Sequence, residues 1–157
     1  LPEFLEKAVA GGGRIVVALG KKCYFNSFDP ERTIDDIIRE KAPVAVRLDV
    51  EDCFDMLTDK KERAALEAGR TVYWLTPGWI LERESLFGDW DQGKANETFP
   101  RHDTALMLDT LDFFNELATN NPEQLLEFTD WMQIGLEPAP VSLDRLVSLL
   151  RGAIEKT

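Results

Sequence analysis

Residues 44–79 constrain the fold more than any other stretch. An apolar run, residues 44–50 (VAVRLDV), is followed by an acidic turn, a helical segment and a second run, residues 71–75 (TVYWL). Strands joined through a helix cannot close as a hairpin, so they pair in parallel through a crossover. Residues 14–19 (RIVVAL) extend the pattern backwards, and Ile34, Ile37 and Ile38 supply the buried stripe of the helix between. Three strands alternating with helices define an α/β fold, an open, mainly parallel sheet with helices on both faces.

The flanking signals fill in the frame. Phe4, Leu5, Ala8 and Val9 share one helical face, and Gly11-Gly12-Gly13 ends that helix. These glycines precede the first strand rather than follow it, so they read as a turn and not as a phosphate cradle. A loop over residues 20–26 carries Cys23. Asp29-Pro30-Glu31 then predicts a helix start, with Asp as cap and Pro in the first turn. Arg47 and Asp49 interrupt the second strand, which places one of its ends at solvent or at a site. Asp59 with Glu62 forms a capping-box pattern for the helix that ends at Gly69.

Beyond Thr76-Pro77-Gly78-Trp79 the pattern becomes helical over residues 80–84, and residues 87–100 lose periodicity and read as a loop or lid. A helix over residues 103–118 follows, with Leu108, Leu111, Phe114 and Leu117 on one face. Another starts at Asn121-Pro122-Glu123, Pro138-Ala139-Pro140 breaks the chain, and a last helix follows Ser142. No further strand is expected. The expected organisation is a single α/β domain over residues 1–157, with a core at 14–84, a loop or lid at 87–100 and a helical segment at 103–157.

A net charge of −11 repels nucleic acid and anionic lipid, and Lys21-Lys22 and Lys60-Lys61 are the only basic doublets. No apolar run approaches the roughly 20 residues of a membrane span. The start carries no charged segment leading into an apolar core and cleavage site, and it opens on Leu1 rather than Met, as a piece of a longer protein would. Two cysteines do not make a disulfide scaffold, so reduced thiols and a cytoplasmic location are expected, with a Cys23–Cys53 bridge as the alternative.

Ligands of open parallel sheets bind beyond the carboxyl ends of the strands. That rule gathers Cys23, Glu51-Asp52-Cys53 and Thr76-Pro77-Gly78-Trp79 at one rim. Cys23, Cys53 and His102 are the candidate metal ligands, since thiolate and imidazole suit zinc and iron. Asp52, Thr76, Gly78 and Trp79 are the candidate cofactor-binding residues, and Cys23 with Asp52 the candidate catalytic pair. Each has a structural alternative: Cys53 as a small core residue, Asp52 as a helix cap, His102 as an exposed neighbour of a cap, Trp79 as core. Lys22 beside Cys23 favours its thiolate. Serine elbow, Walker loop and dinucleotide glycine fingerprint are all missing from the sequence.

The segments ALGKKC, DVEDCFDML and YWLTPGW together resemble the domain of unknown function numbered 1638, over roughly residues 14–80. VSLDRLVSLLRG resembles its late helical segment more loosely. Lys21-Lys22 and Tyr24-Phe25 stand where the family has a glycine-rich loop. The resemblance carries no established activity. It implies an association with corrinoid-dependent methyl-transfer systems, hence an accessory protein of one-carbon metabolism that binds a metal ion or a corrinoid. The alternatives are a thiol-dependent enzyme using Cys23 with Asp52, and a non-catalytic module for a small molecule or a partner. That partner would be a second copy, suggested by Phe113, Phe114, Phe128 and Trp131, or a methyltransferase-system protein.

Overall fold

A computed structural model describes residues 1–24 and 29–157. In chain order the elements are α1 (Pro2–Gly11), β1 (Val16–Val17), a 3-10 turn at Lys21–Cys23, α2 (Ile34–Lys41), β2 (Val46–Arg47), α3 (Cys53–Leu57) and α4 (Lys60–Glu67). They continue with β3 (Val72–Leu75), α5 (Pro77–Leu81), α6 (Arg83–Phe87), α7 (Gln92–Thr98), a 3-10 turn at Phe99–Arg101, and β4 (Thr104–Asp109). Last come α8 (Phe113–Asn120), α9 (Pro122–Met132), β5 (Leu136–Pro140) and α10 (Asp144–Ile154). Among the described residues every strand pairing is parallel, the strands are separated by helices, and the sheets are open, so the α/β class holds. Among the described residues no helix is long and apolar enough to cross a membrane.

The chain divides into two compact units. The first comprises Leu1–Thr58 with Leu143–Thr157, and the second Asp59–Ser142. The three strands expected in one sheet are accordingly shared between two: β1 pairs with β2, and β3 lies in a three-stranded sheet of order β3-β4-β5.

In the first unit, Val16 pairs with Val46 and Val17 with Arg47. Successive strand residues point to opposite faces, and each face of β1 has its own helices. Val17 belongs to a cluster with Leu5 of α1 and Ile34, Ile37 and Ile38 of α2, while Val16 packs against Leu48, Val50, Met56 and the α10 residues Leu146, Leu149 and Leu150. Helix α2 starts four residues later than Asp29-Pro30-Glu31 predicts. Thr33 and Asp36 make a reciprocal capping box there, and Asp29 instead opens a turn in which its carbonyl accepts the Arg32 N–H at 3.1 Å. Pro following Asp suits the second position of a β-turn as well as it suits a helix start.

Arg47 does not face solvent. Its side chain is 8% exposed and forks onto Asp35 at 2.6 and 3.2 Å. The remaining nitrogen donates to the carbonyls of Leu19 (3.2 Å) and Leu48 (2.5 Å), so one guanidinium ties together the chain leaving β1 and the chain leaving β2.

In the second unit, the helix expected over residues 103–118 is two elements. Thr104–Asp109 is the central strand β4, buried at every position, and the helix begins only at Phe113. Ala, Leu and Met favour a helix, but a continuous apolar run of this length fits a strand covered on both faces, and burial overrides propensity. Leu108 is fully buried and Leu111 is 75% exposed, which one helical face would not allow. The carboxylate of Asp109, itself buried, accepts the backbone N–H groups of Phe113 and Phe114, each at 2.9 Å, and so caps α8 from the end of the strand.

The Pro138-Ala139-Pro140 break is a strand too. Leu106 pairs with Glu137, Met107 with Pro138 and Asp109 with Pro140. The N–H of Val141 reaches the carbonyl of Asp109 at 2.9 Å, so donors at odd positions face β4 and the two prolines, at even positions, face the open edge. The supposed lid over residues 87–100 is largely helical, formed by α7 and the following 3-10 turn, with Phe87, Ala95 and Phe99 buried in the core. Phe128 is also buried there, and Phe113, Phe114 and Trp131 pack against the same core.

Candidate functional site

Parallel pairing puts the chain leaving β1 and the chain leaving β2 at the same end of the first unit's sheet. Two backbone hydrogen bonds lock them together, and a third shapes the first loop. The Lys21 N–H donates to the Val50 carbonyl at 3.0 Å, the Lys22 N–H to the Glu51 carbonyl at 2.7 Å, and the Cys23 N–H to the Gly20 carbonyl at 3.1 Å, which winds the 3-10 turn. Gly20 makes this approach possible. A Cβ built there would lie 2.5 Å from the Cα of Asp52 and 2.6 Å from the Glu51 carbonyl oxygen. The Lys21 ammonium adds an exposed contact to Glu51 at 3.3 Å, worth little by itself. The rest of the loop as read from the sequence, Phe25 and Asn26, lies outside the described residues.

The two thiols therefore flank one seam. Cys23 is exposed and Cys53, the first residue of α3, is half-buried; both are free. Burial raises the Cys53 thiol from the ordinary 9.0 to about 11, and the neighbouring charges of Cys23 and Asp52 add to that rise. Asp52 caps α3, accepting the Asp55 N–H at 3.0 Å, so its carboxylate is fixed beside the thiols by a helix-capping bond.

A protonated Cys53 is a poor nucleophile at neutral pH, because the thiolate is the reactive form. At about pH 8 iodoacetamide is expected to label Cys23 readily and Cys53 slowly, with Cys53 labelling accelerating towards pH 11; a Cys53 rate that levels off near pH 9 would contradict the assignment. Stability follows the same proton. The folded state retains it where the unfolded thiol releases it, so stability is flat below about pH 9 and falls as pH rises towards 11.

The other candidates belong to the second unit. Thr76 is the N-cap residue of α5 and Gly78 lies in its first turn, where an added Cβ would meet only the Thr76 hydroxyl at 3.8 Å. Trp79 packs edge-on against Tyr73, with centroids 6.1 Å apart, and against Phe87 at 5.3 Å. His102 precedes β4, with Nδ1 3.1 Å from the Phe99 carbonyl and its ring 5.1 Å from that of Tyr73. Thr76, Gly78 and Trp79 follow β3, whereas His102 comes before β4, so in this parallel sheet they belong to opposite strand ends. Among the described residues no group of three or more His, Cys, Asp and Glu side chains is placed to hold a metal ion.

Gly20 and Arg47 emerge as positioning residues. A glycine directly after a buried strand, with no turn that needs one, was the available signal for Gly20; for Arg47 it was a lone arginine within an apolar strand.

The fold and this seam define a parallel α/β protein that carries a thiol pair at the carboxyl ends of neighbouring strands. Residues 1–150 match the family described as "Protein of unknown function (DUF1638)", and the chain belongs to that family. No curated protein and no solved structure matches it.

Proposed function

We propose that the protein is an accessory protein that binds a metal ion or a metal-bearing cofactor, with Cys23 and Cys53 as the donors. The observation that carries this reading is the locked seam, in which Gly20 and two backbone hydrogen bonds hold one thiol-bearing loop against the other. Sulfur donors suit zinc and iron. Two of them fill only part of a coordination sphere, which favours a metal that arrives with ligands of its own, as a corrinoid does. Asp52 caps the helix that carries Cys53, accepting the Asp55 N–H, and is not counted among the donors. The corrinoid and one-carbon setting, and a methyltransferase-system protein as partner, rest on family resemblance.

A thiol-dependent enzyme using Cys23 with Asp52 has less support, because Asp52 is engaged as a cap and the second thiol holds its proton. Binding a metal would displace that proton, so affinity should rise with pH.

Metal analysis of untagged protein tests the proposal, together with cobalt(II) titration read at the thiolate charge-transfer band. Cys23→Ser and Cys53→Ser should each weaken binding at least about tenfold, the scale of losing one well-placed ligand contact. Equal occupancy in wild type and both variants, or no thiolate band at all, would count against it.

A further inference from the structure

We propose a second binding site, in the second unit, for a planar aromatic carboxylate. It lies where α6, α7 and α9 enclose a surface pocket of about 420 Å³, within the range of small-molecule sites. Phe87, Trp90 and Trp131 form its walls, and Arg83, Glu84 and Gln92 its polar rim. The rings form a connected set: Phe87 lies 5.2 Å from Trp90 and 5.0 Å from Trp131, centroid to centroid. Aromatic walls of this kind accept a flat ring by offset or edge-on packing.

The charge of the ligand follows from two cations. The Arg83 guanidinium lies over Trp131 at 5.7 Å, and the Lys94 ammonium over Trp90 at 4.6 Å. Neither makes an ion pair or a side-chain hydrogen bond among the described residues, although acidic residues outnumber basic ones 29 to 18 in the chain. One face of each indole is taken by the protein's own cation, which would also repel a cationic ligand. An anion meets the opposite situation. Arg83 is half-buried on the pocket rim with all its donors available, and its planar fork matches a carboxylate. Glu84 lines the same rim and is exposed, so solvent screens its charge.

Calorimetric titration with three probes of one ring system tests the site: 2-naphthoate, neutral 2-naphthamide, and the cation (2-naphthylmethyl)trimethylammonium. Naphthoate should bind saturably and at least about tenfold more tightly than naphthamide, as a partly exposed charge-assisted contact allows. Arg83→Gln should reduce naphthoate to the naphthamide level while leaving naphthamide unchanged, and Arg83→Lys should fall between. Trp90→Leu should weaken both. Melting curves establish that each variant is folded, and the charge preference of the wild-type protein stands as a test without any variant. Equal binding of all three probes, preference for the cation, a naphthoate preference that survives Arg83→Gln, or no binding up to about 1 mM would each overturn the proposal.

Discussion

Replacing Arg47 with Met is expected to destabilise the first unit by roughly 3 kcal/mol, the largest effect of any single change away from the apolar cores. The guanidinium is almost fully buried, forks onto Asp35 and donates to the Leu19 and Leu48 carbonyls. Removing it leaves a carboxylate without its partner and the Leu19 carbonyl without its donor, while the Leu48 carbonyl keeps the Val50 N–H at 3.0 Å. Asp35 is 45% exposed, so water recovers part of its solvation and the loss falls at the low end of the range for a broken buried pair. Lysine should rescue little, because an ammonium cannot fork onto Asp35 and also reach both carbonyls. Pairing Arg47→Met with Asp35→Asn should cost less than the sum of the two changes. Hydrogen exchange at the Val46 and Leu48 amides reads the effect directly, since their donors bridge to β1 at 2.9 and 3.0 Å. All four tryptophans, Trp74, Trp79, Trp90 and Trp131, lie in the second unit, so their fluorescence follows that unit instead. Protection unchanged to within about 1 kcal/mol would show that the buried fork contributes little.

Gly20→Val should be the next most damaging change, at about 3 kcal/mol, and it should alter the thiol seam as well as stability. The new side chain would meet the Asp52 and Glu51 backbone, not the flexible end of a side chain, so relief requires the two loops to part. Parting exposes Cys53, which removes the burial that holds its proton. The expected result is faster alkylation of Cys53 at about pH 8 in the variant than in wild type, with Cys23 little changed. If the variant matches wild type in both stability and alkylation rate, the close approach is not required. Gly20→Ala should show the same pattern at smaller amplitude.

The sequence made the fold legible wherever periodicity and burial agree. The apolar runs at 14–19, 44–50 and 71–75 contain β1, β2 and β3, and the Asp59–Glu62 capping box is present in both directions. It hid β4 because Ala105, Leu106, Met107 and Leu108 are good helix formers, and a central strand buried on both faces loses the alternation that would distinguish it. It hid β5 because Pro138 and Pro140 look like a break until their register at an edge is known. Of the seam, the neighbouring positions of Cys23 and Cys53 follow from parallel strands joined through a helix. The backbone bonds of Lys21 and Lys22, and the narrow approach at Gly20, depend on loop geometry that no residue pattern encodes. Trp90 stood out only as one aromatic in a polar segment, because the partners that make it a pocket wall come from α6 and α9.

The prolines of β5 also govern what the second unit's sheet can recruit. An outer strand with a full row of N–H donors is a template on which a stray strand from another chain can add, the first step toward aggregation. On β5 the outward donors at residues 138 and 140 do not exist, so growth from that side lacks the bonds that would hold a newcomer in register. Strand addition on this side has only the Leu136 donor to use, and restoring the outward donors with Pro138→Thr and Pro140→Thr would open the side that the native sequence keeps closed.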